Sequence, residues 1–299
     1  MIITMQLDDL ARVLPAAFPD LRPVAPLTEL GKGFRSVAVE TPARIVIRVG
    51  LSQEALDGYR LERRVLPFLH DYLDAPIPDS GWFAAPREGL PFGAHAYPKL
   101  DGAGPRFGID APEALARNLG TFMAQLHAIP VAQAQRAGIP EVDSRTRLVG
   151  ARDVVAPVLE ERLNRGEIKR VLAWWDCFVT DPQMHCDRLA VCHHDLWHDN
   201  LLMDANGHLS GILDWSHVEI GDPAHDFSAP RYFGEAFMAH LLDSYLNAGG
   251  RFDNESAYRA RRFWEGREFG GIAWAIEHDD DKELATGIEK LRRGPLLSG

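Results

Sequence analysis

Cysteine is scarce in this 299-residue chain: Cys177, Cys186 and Cys192 are the three present, an odd number without a Cys-x-x-Cys pair. A disulfide framework and a cysteine-built zinc site are therefore excluded as organising features, and a reducing compartment is expected. Positive charge is also in deficit, with 32 basic against 43 acidic side chains and a formal net charge of −11. The first hundred residues are nearly balanced, so the acidity lies in the remainder. Such a balance argues against gripping a nucleic-acid backbone; it suits solubility or the attraction of a cationic partner. No stretch approaches the roughly 20 apolar residues of a spanning helix, and residues 1–9 have no basic flank before their short apolar run. A soluble, cytoplasmic protein with no nucleic-acid or membrane partner is the expectation.

What is present is ordinary globular composition, 46% apolar and 25% charged, at a length that accommodates two packed lobes. Residues 27–49 read as strand, glycine-containing turn and strand, with the β-branched run Ile45-Val46-Ile47-Arg48-Val49 as the clearest strand. Between the strands lies Gly31-Lys32-Gly33-Phe34-Arg35-Ser36. It lacks the third glycine and following helix of a dinucleotide fingerprint, and the Gly-Lys-Ser/Thr of a Walker loop. Two readings stay open, an ordinary hairpin turn and a flap whose amides lie over nucleotide phosphates. A helix is expected over 53–66, with Pro67 kinking it or opening another turn. Glu62 on this helix either returns to pair with Arg48 or balances Arg60, Arg63 and Arg64 at the surface; spacing alone favours the surface. Residues 93–98 read as a last short strand, and the glycine- and proline-rich stretch 98–110 as the boundary between a unit of residues 1–98 and one of 99–299.

Beyond that boundary, Asp110 and Glu113 introduce a helix whose stripe is Leu115, Leu119, Phe122, Met123 and Leu126, with His127 structural at its end. A further helical tract is expected over 154–177, and others over 233–245 and 258–276, with Trp264 and Trp274 in a core stripe and Asp279-Asp280-Asp281 solvated. The polar segment His193-His194-Asp195-Leu196-Trp197-His198-Asp199-Asn200 enters a small hairpin that returns at Leu213-Asp214-Trp215. Phosphoryl transfer needs an aspartate to orient an incoming hydroxyl, and amide and carboxylate oxygens to hold Mg²⁺ on the donor phosphates. Asp195, Asn200 and Asp214 meet those needs, with Arg48 and loop amides to stabilise the transferring oxygens.

Together with Ile220-Gly221-Asp222-Pro223-Ala224-His225-Asp226-Phe227, Glu62-Arg63-Arg64-Val65-Leu66 and the stretch 119–127, these motifs resemble the aminoglycoside phosphotransferase and choline kinase superfamily. The resemblance implies an α+β, protein-kinase-like fold of two lobes, a small antiparallel-sheet N-lobe and a mainly helical C-lobe. It implies an enzyme using ATP and Mg²⁺ to phosphorylate a hydroxyl of a small molecule; a monomer or weak homodimer is the expectation. Carried over, Asp195 is the catalytic aspartate, Asn200 and Asp214 the magnesium ligands, His193 a brace and Asp226 a buried structural aspartate. Glu62 positions Arg48, which stands where many relatives have lysine. Nucleotide contacts fall to Gly31, Lys32, Gly33, Phe34, Arg35 and Ser36 of the flap, to Arg48, and to Ala96 and Pro98 beside the adenine. His194, glycine in many relatives, implies a loop with less backbone freedom or a histidine pointing at substrate, with Asp199, Glu219, Glu265 and Glu268 complementing the amines of an aminoglycoside-like acceptor. Antibiotic resistance follows as a hypothesis. Two competing classes are a metal-dependent phosphohydrolase built on His193, His194, Asp195, His198 and Asp214, and a non-catalytic nucleotide-binding regulator.

Overall fold

The computed structural model describes residues 6–298 except 22–23, 34, 107–108 and 111. Its small lobe is a five-stranded antiparallel sheet of β1 (Thr28–Lys32), β2 (Ser36–Glu40), β3 (Ile45–Gly50), β4 (Trp82–Ala84) and β5 (Ala94–Pro98), in the order β1-β2-β3-β5-β4. Helix α1 (Leu7–Ala17) buries Leu10 and Leu14 against Val37, Val39, Ile47 and Val49 on one face of that sheet. Helix α2 (Gln53–His70) begins at Ser52, whose side chain accepts from the Ala55 amide. The helix continues through Pro67 rather than stopping there. Leu66 and Leu69 on either side of it are fully buried, and their burial outweighs the one backbone bond that proline forfeits.

The large lobe opens with α3 (Glu113–Ala128), whose stripe is buried as the periodicity requires. Its N-cap is Pro112, not Asp110; the Asp110 carboxylate is instead bound by Arg106 at 2.9 Å. After α4 (Val131–Ala137), the single tract expected over 154–177 is two helices, α5 (Thr146–Arg162) and α6 (Arg165–Thr180). They part because Asn164 and Glu167 form a reciprocal capping box that starts α6 afresh. Two short antiparallel pairs follow. Strand β6 (Ala190–Cys192) pairs with β9 (Glu219–Gly221), and β7 (Leu201–Met203) with β8 (Leu209–Ile212).

The remainder is helical: α7 (Glu235–Asn247), α8 (Asn254–Gly266), α9 (Glu268–Glu277) and α10 (Asp281–Arg293). The tract 258–276 is divided at Arg267. Helix α10 lies beyond the tracts that periodicity predicts: Asp280, in the run expected to be solvated, caps it by accepting from the Glu283 amide. Trp264 and Trp274 are only half-buried, the first under the Arg267 guanidinium and the second stacked on His278. Helices α3 and α7 cross at Gly120, where a Cβ would lie 2.2 Å from the Leu241 carbonyl oxygen. This close crossing sets His127 and Tyr245 beside each other beneath the polar loop that follows β6. Among the described residues, no helix is long and apolar enough to cross a membrane.

Candidate active site

The loop leaving β6 is pinned from below. The Asp226 carboxylate accepts from the amides of His193 at 2.9 Å and His194 at 2.7 Å, and His127 Nε2 lies 3.2 Å from it. Tyr245 Oη is 3.0 Å from the other nitrogen of that imidazole. Burial by itself would raise the Asp226 carboxyl; the His127 hydrogen bond and the neighbouring imidazoles hold it well below the usual carboxylate range. His193 then ties the loop to the returning strand. Its Nδ1 accepts from the Asp195 amide at 3.2 Å and its Nε2 donates to the Leu213 carbonyl at 3.1 Å.

His194 adopts φ 64°, in the left-handed region that suits glycine. Its side chain does not point at the cleft, contrary to expectation. Nε2 sits 3.2 Å from Glu219 Oε1 and 3.4 Å from Ser144 Oγ, because a buried imidazole with a carboxylate in reach turns toward it. The other Glu219 oxygen is bound by Arg147 at 2.8 Å, and burial raises the Glu219 carboxyl to about 7.

Asp195 and Asn200 meet directly. The Asn200 amide nitrogen donates to Asp195 Oδ2 at 2.8 Å and to the Asp195 carbonyl at 2.9 Å. Burial, then the charge of Asp214, push the Asp195 carboxyl up to about 6. The Leu213 amide donates to the Asn200 carbonyl at 2.8 Å, so the hairpin returns Asp214 beside this pair. Asp214 is itself left-handed, at φ 58°. Its Oδ1 accepts from Ser216 Oγ at 2.7 Å and faces Arg48 Nη2 at 3.1 Å. Although burial opposes it, Arg48 keeps this carboxyl well below its ordinary value.

Arg48 comes from the middle of β3, and its Nη1 is 2.7 Å from Glu62 Oε1. Glu62 is buried, which corrects the surface position that spacing favoured. A buried carboxylate survives there because it is fully partnered: Arg48, His95 Nδ1 at 3.1 Å, and the Trp215 amide at 3.0 Å. His95 faces Arg48 in the β3–β5 register, a pairing invisible until the strands are aligned. Ser216, Ser144, Arg147 and His217 likewise carried no sequence signal.

On the nucleotide side, Ala96 is buried in β5 opposite Ile47, and Pro98 ends that strand exposed. Gly31 and Lys32 lie on exposed β1, the Gly33 amide donates to the Ser36 carbonyl, and Phe34 lies outside the described residues. Arg35 reaches out of the flap to Glu54 and His217. Of the proposed amine-binding acids, Asp199 is exposed beside His198. Glu265 and Glu268 are not free to meet an amine. The first is buried against Trp174, Arg261 and Arg262, the second is held by Arg267 and Tyr232, and each charge is neutralised within the helical lobe.

Residues 26–264 match the model of the phosphotransferase enzyme family. The chain is 29% identical over 246 residues to the uncharacterized protein YcbJ of Bacillus subtilis (strain 168), covering 76% of each chain. It is 30% identical over 189 residues to the viomycin phosphotransferase of Streptomyces vinaceus, covering 61% of this chain and 62% of that one. Among solved structures, the GDP complex of aminoglycoside 2'-phosphotransferase-IIIa superposes with a TM-score of 0.83 at 23% identity, over 97% of this chain and 98% of that one. A macrolide 2'-phosphotransferase type I superposes with a TM-score of 0.74 at 25% identity, over 97% and 99%. The two-lobed, kinase-like fold is thereby established.

Proposed function

The chain belongs to the phosphotransferase enzyme family, ATP-dependent enzymes that act on hydroxyls of small molecules, and on that premise we propose how its own residues divide the work. Asp195 orients the acceptor hydroxyl and takes its proton; Asn200 and Asp214 supply oxygen to Mg²⁺; Arg48, aimed by Glu62, contacts the donor phosphates. The observation carrying this reading is the direct Asp195–Asn200 hydrogen bond, with Asp214 returned beside it by the hairpin.

The donor set suits the ion. With the Asn200 NH₂ turned to Asp195, its amide oxygen and the Asp214 carboxylate offer hard oxygens of the kind Mg²⁺ prefers. When bound, the ion neutralises charge on the transferring phosphates. Nucleotide is proposed along β5 at Ala96 and Pro98 and under the flap of Gly31, Lys32, Gly33, Phe34, Arg35 and Ser36. Asp195, with a carboxyl near 6, is ionised at neutral pH yet basic enough to accept a proton in flight.

For the acceptor, an amine-bearing sugar alcohol is our first candidate class. It rests on Asp199, since Glu219, Glu265 and Glu268 have partners of their own. The hydrolase alternative loses support because His193 and His194 are both turned to protein groups instead of an open metal position. The test is mass spectrometry for an added phosphate across a panel of viomycin, aminoglycosides, macrolides and small sugar and amino alcohols, with Asp195→Asn beside wild type. One acceptor phosphorylated by wild type is expected, with the variant slower by about 10²–10⁴-fold while still folded and binding nucleotide. Undiminished transfer by Asp195→Asn would refute the assignment.

A further inference from the structure

Arg35 roots in the flap and ends in the other lobe. Its carbonyl accepts from the Leu51 amide at 2.8 Å, which fixes the base of the side chain just beyond β3. Its Nε lies 3.0 Å from Glu54 Oε2, and its Nη1 is hydrogen-bonded to His217 Nε2. His217 sits in the turn between Asp214 and β9, so one side chain spans from the roof of the cleft to the loop carrying Asp214.

The two arginines of the cleft differ in how firmly they are held. Arg48 is clamped between Glu62 and Asp214 with its side chain 11% exposed. Arg35 is 37% exposed, and its carboxylate partner Glu54 is 65% exposed. A solvent-exposed pair of this kind contributes little. A histidine ring and a surface carboxylate are weak competitors for a guanidinium once phosphoryl oxygens come within reach. Held this loosely, beside the loop that carries Asp214, Arg35 is suited to a charge that develops only during reaction.

Resting on the phosphotransferase reading above, we propose that Arg35 is a transition-state contact delivered by the flap, and that His217 is the positioning residue that aims it. In the step, the acceptor oxygen bonds to the γ-phosphorus as the bond from that phosphorus to the bridging oxygen of ADP breaks. The hydroxyl proton passes to Asp195. Negative charge grows on the bridging oxygen and spreads over the three phosphoryl oxygens, where the planar guanidinium fork provides two parallel N–H donors.

The experiment compares binding of ADP–Mg²⁺ with that of ADP–Mg²⁺–aluminium fluoride, a planar mimic of the transferring group, by calorimetry, alongside kcat and KM for ATP. For Arg35→Ala, which removes one of the flap's proposed nucleotide contacts, ADP affinity and KM weaken by only a few-fold. The additional affinity for the fluoride complex, and kcat, fall on the order of 10²-fold. Arg35→Lys, which keeps the charge and loses the fork, falls between. His217→Ala lowers kcat several-fold in the wild-type background and not at all in the Arg35→Ala background. Equal weakening of both complexes by Arg35→Ala would make it an ordinary ground-state phosphate contact. No weakening would make it a surface residue, and additive His217 and Arg35 losses would uncouple the pair; each result overturns the proposal. Wild-type protein that binds no nucleotide would overturn the underlying site assignment, and this inference with it.

Discussion

The floor and the roof of the cleft are built on opposite principles. Below, the loop of residues 193–200 has its amides, imidazoles and carboxylates engaged by Asp226, Leu213, Glu219 and one another, on helices that meet backbone to backbone at Gly120. Above, β1 is exposed along its whole length, and among the described residues the flap's ties include its ladder to β2, the Gly33–Ser36 turn bond, the Leu51 amide on the Arg35 carbonyl and the reach of Arg35. Groups that must keep a fixed geometry sit where several hydrogen-bond partners converge on each. The segment proposed to lie over nucleotide sits at an exposed sheet edge with few such partners.

The comparison is broken most severely at Asp226. Asp226→Ala leaves two buried amides and His127 without their acceptor, and a loss of about 3 kcal/mol is expected in urea unfolding, with activity abolished. A loss no greater than that of a surface substitution would mean the floor is not braced there. Next is a pair of glycines with opposite fates. Gly120→Ala pushes a methyl into the Leu241 carbonyl and is expected to cost about 1–3 kcal/mol, whereas Gly31→Ala meets open space and should stay within about 0.5 kcal/mol. The same unfolding curves decide between them, and equal effects would erase the contrast.

The gentlest probe is pH. Because the Asp195 carboxyl is raised to about 6, the ionised form that accepts a proton is lost below that value. A kcat/KM falling about tenfold per unit on the acid side of pH 6 is expected. An acid limb near pH 4 instead would place the working carboxylate in a solvated setting.

What the sequence made legible was local. The five-residue offset joining Asp195 to Asn200, and the hairpin that returns Asp214, lie within one short stretch, and the chain path follows from its turn residues. The strand-rich opening and helical remainder followed from periodicity. What stayed hidden depends on partners distant in the chain. Glu62 is buried because β3 and β5 align Arg48 with His95 above it and Trp215 approaches from the other lobe. His194 turns inward because Glu219 arrives on β9, and Glu265 and Glu268 lose their availability to arginines on their own helices or next to them. A carboxylate read one position at a time advertises charge; its partners decide whether any is left to offer.

Helix α2 belongs to both halves of the molecule. Its outer turns place Val65, Leu66 and Leu69 in the same apolar cluster as α3, while Tyr59 and Glu62 lie beneath the sheet against Arg48 and His95. Severing the chain near residue 98 would strip that cluster of one wall and strand the helix with an oily flank in water. Residues 1–98 expressed alone are therefore expected to be insoluble or unfolded by circular dichroism.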